Sequence, residues 1–252
     1  LFGMSLSKNK IKYIRSLKDK KYRNINNTFV AEGTKLVFDL LKSCKCQLIA
    51  ALPEIINSNP NIRSEEIIIA NSEELKKATF LKTAPTIIAV FYQPEFKLNR
   101  TNLKDKLSIV LDGVQDPGNV GTIVRIADWF GIENIICSED SADVYNPKTV
   151  QATMGSIARV SVNYTDLSNL LNEYSDFPVY GTFLDGNNIY YEELSHNGFI
   201  IMGSEGKGIS NKIINYVNNK LYIPEFPAGS ASTDSLNVAV ATAVVCSEFR
   251  RR

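Results

Sequence analysis

Apolar positions along this chain switch between two periods. In residues 1–93, the stretches "TFVAEG", "QLIAAL", "EEIIIA" and "TIIAVFY" are short aliphatic and β-branched runs, the composition of buried strands. Between them, "TKLVFDLLKS" carries Leu36, Val37, Leu40 and Leu41 at helical spacing, and "NSEELKKATF" opens a helix with Asn71 or Ser72 as its cap. A further helix is predicted over 8–20. This half therefore reads as a small α/β unit. Residues 94–106, "PEFKLNRTNLKDK", are polar, charged and opened by Pro94, and read as a linker.

Beyond the linker the alternation resumes. The pattern predicts a strand at 107–111, a helix at 120–130 capped by Asn119, a strand at 132–136 and a helix near 147–157. Then come "RVSVNY", a helix around 166–174, the strands "PVYGTFL" and "GFIIMG", and a helix near 209–217. Strand "KLYIP" and a helix over 235–249, capped by Ser235 or Asp234, complete the series. Strands alternating with helices predict a mostly parallel sheet covered on both faces, an α/β fold with domains at 1–93 and 107–252. No period of 20 to 50 residues recurs, which argues against a repeat architecture.

Three stretches stand out chemically. In "LSIVLDGVQDPGNVGTIVRIADWFG", Val120, Ile123, Val124 and Ala127 make one apolar stripe. At a helical turn of 100° per residue, Arg125 projects about 150° from its centre. It is a surface side chain near a helix N-terminus, a place to hold a phosphate or a ribose, or else an ordinary exposed arginine. In "FIIMGSEGKGIS", Gly203, Gly206 and Gly208 let backbone approach a neighbour closely, yet neither GxxxxGK[ST] nor GxGxxG is present. With Glu205, this loop suits a ligand carrying hydroxyls or positive charge, or it is a plain glycine turn. In "LYIPEFPAGSASTDSLNVAVATAVVCSEF", the small residues Ala239, Ala241 and Ala243 imply a closely packed helix. Asn237 in its first turn is an unusual choice that a hydrogen-bonding role explains.

Composition adds limits. Of 252 residues, 44% are hydrophobic and 22% charged, as in a soluble globular protein. No apolar run reaches the roughly 18 to 20 residues of a membrane span, and the region from Lys8 onward is too basic for a signal-peptide core. Net charge is only +1, but Lys8, Lys10, Lys12, Arg15, Lys18, Lys20, Lys21 and Arg23 face a single acid, Asp19. Lys97, Arg100, Lys104 and Lys106 form a smaller basic group, and the sequence closes on Arg250, Arg251 and Arg252. Such patches suit a polyanion partner or a solvated face. Cys44, Cys46, Cys137 and Cys246 lack zinc-site spacing and read as thiols of a reducing, cytoplasmic setting. The single histidine, His196, lies in the polar turn "LSHNG", which argues against a multi-histidine metal site or a Ser-His-Asp arrangement.

Taken together, "NVGTIVRIADWFG", "IIMGSEGKGIS" and "YIP…SLNVAVATA" resemble the three motifs of the SpoU (TrmH-type) RNA 2′-O-methyltransferases of the SPOUT superfamily, over about 107–252. Residues 1–93 are similar in layout to the L30e-like RNA substrate-binding domain, with "FVAEGTKLV" the most familiar piece. The resemblance implies a C-terminal parallel-sheet domain tied in a deep trefoil knot and S-adenosylmethionine as cofactor; on the histidine and cysteine content no metal is expected. It assigns Gly203, Gly206, Ile223, Pro224 and Leu236 to the cofactor pocket, with Thr182 added. It makes Arg125 the residue engaging the ribose 2′-hydroxyl, and Asn119, Glu205, Ser235 and Asn237 the other functional positions.

It also implies a homodimer whose active site lies between two chains; the cysteine usage and the lack of a long apolar run point to a cytoplasmic protein with no membrane partner. The expected activity is methyl transfer to a ribose 2′-hydroxyl of ribosomal RNA. Transfer RNA is the alternative substrate, and an inactive RNA-binding protein of the same fold the alternative class. An α/β nucleotide-binding module is disfavoured by the missing phosphate loops. One departure is the segment "EFPAGSASTD", 225–234, longer than usual in the family. The basic stretch 8–23 becomes a candidate RNA-docking surface, with Tyr13 and Tyr22 available to stack on bases.

Overall fold

The computed structural model describes residues 2–3, 5–96, 98, 103–227 and 235–251. Part of the predicted linker (Lys97 and Arg100 included), most of 225–234 with the predicted cap Asp234, and Arg252 lie outside the described residues. The chain divides into two compact units, Leu1–Glu95 with Asp143–Ala158, and Phe96–Ala142 with Arg159–Arg252. Among the described residues no helix is long and apolar enough to cross a membrane.

The first unit is built on strands β1 (Phe2–Gly3), β2 (Thr28–Glu32), β3 (Cys46–Ala51), β4 (Glu66–Ile69) and β5 (Ile87–Tyr92), in the order β1-β4-β3-β5-β2. The sheet is mixed: β5 runs antiparallel to β2 and β3, while β3–β4 and β1–β4 are parallel. Leu17, Leu48, Leu75, Ile88 and Val90 are almost wholly buried in its core.

The helix predicted over 8–20 is two helices, Lys8–Ser16 and Lys20–Asn26. The break carries its own compensation. Arg23, 2% exposed, donates through Nη1 to the carbonyls of Leu17 (2.8 Å) and Lys18 (2.6 Å), which the interrupted ladder leaves without helical partners. Glu32 ends β2 buried, its carboxylate accepting from the Thr79 hydroxyl and the Phe80 N–H (2.9 Å); burial still raises its pKa. Asn71, not Ser72, caps helix Ser72–Ala78 in a full capping box with Glu74. A short helix, Pro53–Asn57, was not expected from the pattern.

Residues 143–158, which the linear reading assigns to the second half, pack within this first unit. Arg23 Nε donates to Asp143 (3.2 Å), and the Tyr145 ring lies 5.2 Å from that of Phe29. The helix predicted near 147–157 is Pro147–Thr153 followed by a 3₁₀ turn at Ser156–Ala158. Between them Gly155 has φ +97° and a Cβ there would fall 2.1 Å from the Asp39 carboxylate, so the position requires glycine.

The second unit holds β6 (Leu107–Asp112), β7 (Asn134–Cys137), β8 (Ser161–Tyr164), β9 (Val179–Asn188), β10 (Gly198–Gly203) and β11 (Asn219–Tyr222). Their order is β11-β9-β10-β6-β7-β8, and every pairing is parallel. The chain steps outward through β6, β7 and β8, then crosses to the other side of β6, so β6 and β10 flank the switch point. An α/β unit with a parallel sheet is thus observed.

Helix Pro117–Trp129 follows β6. Its cap is Asp116, whose carboxylate accepts from the Asn119 N–H at 2.9 Å, and Pro117 occupies the first helical position. The prediction that Asn119 caps this helix is corrected: proline tolerates the first turn, so the helix starts earlier and Asn119 keeps its side chain for other work. The last helix is Val238–Arg251, shorter at its start than predicted. Ser235 does not open it, and Asp234 lies outside the described residues. Asn237 Oδ1 instead accepts from the N–H groups of Ala239 (3.0 Å) and Val240 (3.3 Å). The helix predicted near 209–217 shrinks to Asn211–Ile214.

Candidate active site

Parallel strands end together, so the loops leaving β9, β10 and β11 share one edge of the sheet. There a cavity of about 540 Å³ opens, within the range of roughly 300–1,000 Å³ that holds small ligands. Its wall is largely apolar, with Met202, Ile209, Tyr222, Ile223, Leu236 and Val238, and carries the charged groups Glu205 and Lys207. Of the predicted positions, Thr182, Gly203, Glu205, Ile223, Ser235 and Leu236 line this cavity. Gly206 and Pro224 are not among the lining residues, although each is the chain neighbour of one.

The loop after β10 explains Gly203. Ser204 and Gly208 exchange backbone hydrogen bonds of 3.0 and 2.8 Å, folding the loop back on itself. A Cβ on Gly203 would fall 2.1 Å from the Gly208 carbonyl carbon, so no side chain fits there. Gly208 turns the chain at φ +65°. The base of the loop is pinned to β6, where Asp112 Oδ2 accepts from the Ser210 N–H at 2.6 Å.

At the rim, the three sequence stretches meet through side chains. Asn237 Nδ2 donates to Asn119 Oδ1 at 3.0 Å, across 118 residues of sequence, and Asn119 Nδ2 donates to Glu205 Oε1, across 86. The direction of this chain is set by backbone. Because Asn237 Oδ1 is occupied by the helix N–H groups, its amide nitrogen faces Asn119; Asn119 must then present its own nitrogen to the carboxylate. Glu205 Oε2 has no partner among the described residues.

Arg125 is exposed and makes no hydrogen bond or ion pair with another described residue, while Val120, Ile123, Val124 and Ala127 are buried as expected. It lies six residues beyond Asn119, about 9 Å along the helix and about 120° round it. It does not line the cavity of its own chain.

Several lining residues escaped the sequence reading: Lys207, Tyr222, Val238 and Ala241. The small side chain of Ala241 was legible as close packing, but not which side of the helix the space would open. His196 is exposed and away from the cavity lining. The cysteines are free thiols, and burial pushes Cys46 up to about 11 and Cys137 and Cys246 up to about 12, which leaves them poor nucleophiles. Among the described residues no group of three histidine, cysteine or acidic side chains is arranged to hold a metal.

A parallel α/β unit with a folded-back glycine loop and a polar rim drawn from three distant motifs is what the SpoU motifs would build. The SpoU rRNA methylase family model matches residues 106–247, and an MRM3-like substrate binding domain matches 8–89; the chain belongs to the SpoU rRNA methylase family.

Among curated relatives, it is 31% identical over 255 residues to the 23S rRNA (guanosine(2553)-2′-O)-methyltransferase RlmP of Bacillus subtilis (strain 168), covering 98% of each chain. A solved structure from Porphyromonas gingivalis assigned to the TrmH RNA methyltransferase family superposes with a TM-score of 0.85 at 39% identity, covering 98% of both chains. An S-adenosylmethionine-bound rRNA methyltransferase from Sinorhizobium meliloti superposes with a TM-score of 0.84 at 28% identity, covering 100% of this chain and 97% of that one.

Proposed function

We propose that this protein transfers a methyl group from S-adenosylmethionine to a ribose 2′-hydroxyl of ribosomal RNA. The observation that carries the reading is the hydrogen-bonded chain Asn237–Asn119–Glu205 at the mouth of the cavity, joined to the similarity with 23S rRNA 2′-O-methyltransferases. The cavity fits the cofactor's chemistry: apolar walls for an adenine ring, backbone brought close by Gly203, and a carboxylate near a cation. Gly203, Ile223 and Leu236 would hold it, with Thr182 and Ser235 at the wall and Gly206 and Pro224 shaping the loops.

When bound, the cofactor supplies an electrophilic methyl on a positively charged sulfur. The chain's own task is to align a 2′-oxygen and receive its proton. Arg125 is a poor base, since its pKa is above about 12, but its fork suits the 2′-oxygen and the adjacent phosphate. Glu205, with Oε2 free among the described residues, is positioned to take the proton.

Arg125 does not line its own cavity, and Trp129 on the same helix is 84% exposed, with Val240 51% exposed on the neighbouring helix. Large exposed apolar groups mark contact surfaces. These features support a homodimer in which Arg125 of a second copy completes each site. We further infer that the C-terminal unit carries the trefoil knot of its superfamily. As an L30e-like RNA-binding domain over 1–93, joined by the 94–106 linker to a catalytic domain over 107–252, the N-terminal part would dock the RNA.

The docking surface is narrower than the sequence suggested. Arg23 is buried, Lys10 pairs with Glu66, Arg15 donates to the Thr79 carbonyl (2.6 Å), and Tyr13 is held by Gln47 (2.7 Å). Lys12, Lys18, Lys20, Lys21 and Tyr22 remain exposed. The four free thiols suit the reducing cytoplasm.

The test is methyl incorporation from labelled S-adenosylmethionine into ribosomal and transfer RNA from cells lacking this protein, with the product checked for alkali-resistant linkages. Label in ribosomal RNA that Arg125→Ala abolishes is the expected result. Label confined to transfer RNA would reassign the substrate, and cofactor binding without label in any RNA would favour the inactive reading. Arg125→Lys keeps charge but loses the fork; wild-type turnover there would sink the orienting role. Mixing Arg125→Ala with Asn237→Ala subunits should restore part of the activity if the site spans two chains.

A further inference from the structure

Arg250 reads in the sequence as part of a basic tail, yet the fold uses it internally. Its Nε donates to the Phe130 carbonyl at 2.9 Å and Nη2 to the Gly131 carbonyl at 3.2 Å. These carbonyls lie just past the C-terminus of helix Pro117–Trp129. That end closes with the Gly131 N–H on Asp128 O (3.2 Å) and the Ile132 N–H on Ala127 O (2.8 Å), with Gly131 at φ +63°. A helix C-terminus carries negative partial charge, so a guanidinium fork on two successive carbonyls there is a charge-assisted, directional contact. Arg251, by contrast, pairs within its own helix with Glu248.

The same two helices are tied at their other ends, where Asn237 donates to Asn119. Helices Pro117–Trp129 and Val238–Arg251 therefore lie side by side in the same direction, each about 20 Å long, with one polar contact near each end. Between the ends the last helix buries an apolar face. Val245, Cys246 and Phe249 are at most 3% exposed, and the Phe249 ring meets Tyr180 edge-on at 4.9 Å. Apolar burial holds the last helix in place but is non-directional and resists lengthwise sliding weakly. Hydrogen bonds to fixed carbonyls resist it strongly, because they weaken steeply with misalignment.

We propose that Arg250 is a positioning residue for methyl transfer. By gripping Phe130 and Gly131 it sets the lengthwise register between the helix bearing Asn237 and the helix bearing Asn119 and Arg125. The rim contact and the cavity wall formed by Val238 and Ala241 inherit that register. This inference rests on the methyltransferase reading of the site.

The experiment measures turnover, KM for RNA, cofactor affinity and melting temperature for wild type, Arg250→Ala and Arg250→Lys. Trp129, the single tryptophan and the chain neighbour of Phe130, adds an emission spectrum for each. In Arg250→Ala, kcat should fall about 10- to 100-fold, the scale of a misplacement near 1 Å, with KM for RNA within about twofold and Trp129 emission shifted. Arg250→Lys should recover part of kcat, since an ammonium can grip without the two-pronged fork.

Unchanged kcat in a folded Arg250→Ala protein overturns the inference, even with a lowered melting temperature. Raised KM with intact kcat overturns it in favour of direct RNA contact. If Arg250→Ala loses its cooperative transition, Arg250→Lys carries the test, and wild-type kcat there overturns the proposal. Absence of methyl transfer by the wild type strikes the functional reading itself and takes this inference with it.

Discussion

In the first unit, the charged groups with the most contacts are buried and closed. Arg23 spends its donors on Leu17, Lys18 and Asp143, and Glu32 accepts from Thr79 and Phe80. In the second unit, the comparable groups stand at the open ends of parallel strands. Asn119, Glu205 and Asn237 are tied to one another, Asn119 half-buried and the other two exposed, and Arg125 has no described partner at all. The residue types overlap, and what separates the roles is solvent. A buried ion that has lost its water must be fully satisfied by protein, which leaves it nothing to offer a ligand. An exposed group fixed by one hydrogen bond keeps valence to spare.

That contrast can be broken by substitution. Arg23→Ala should cost about 3–5 kcal/mol of unfolding free energy, because Asp143 and two carbonyls are left without their cation. Turnover per folded molecule should stay near wild type, as denaturant titration and kinetics on the same sample would show. Asn119→Ala should do the reverse, lowering turnover about 100-fold, or about 2.7 kcal/mol of transition-state stabilisation, with stability moved by less than about 0.5 kcal/mol. A large melting shift in Asn119→Ala with turnover intact would erase the distinction between the units.

A smaller effect is expected where backbone alone is at stake. Gly203→Ala must displace the Gly208 backbone, and cofactor affinity measured by calorimetry should weaken about tenfold or more, at least about 1.4 kcal/mol. Wild-type affinity would mean that the folded-back loop does not shape the cavity. The exposed lysines of the first unit sharpen the comparison from the other side. Replacing Lys18, Lys20 and Lys21 with glutamine should raise KM for RNA, flatten its salt dependence by up to about 2 in log–log slope, and leave kcat alone. A kcat effect without a KM effect would remove the docking role.

The least effect is expected from thiol chemistry. Near pH 8, burial keeps Cys46, Cys137 and Cys246 protonated, with pKa values of about 11, 12 and 12, so half-buried Cys44 should label first in the native protein. Rapid labelling of Cys137 or Cys246 would indicate that the parallel-sheet unit opens far more readily than its packing implies.

Much of this protein was legible along the chain. Strand and helix periods placed nearly every element of both units, because burial periodicity is a local property that each segment carries in itself. The stripe Val120, Ile123, Val124 and Ala127 by itself puts Arg125 on the surface, and the three motifs named the family. Fine choices between neighbours were harder. Asn119 and Asp116 are both good caps, and the outcome turned on Pro117, which extends the helix by its preset φ. At the last helix Ser235 was an expected cap, and Asn237, two positions on, took the role.

Only the tertiary structure decided the use of the charges. Arg23 and Arg250 look in sequence like Lys18 or Arg125, yet one closes a helix break and the other grips a distant helix end. Residues 143–158 join a unit that begins well over 100 positions earlier in the chain. The rim joins Asn119, Glu205 and Asn237 across 86 and 118 residues. The periods along a chain record which side chains avoid water. Which polar groups then meet depends on strand order and helix register, and these are set by the packing of the whole unit rather than by any segment within it.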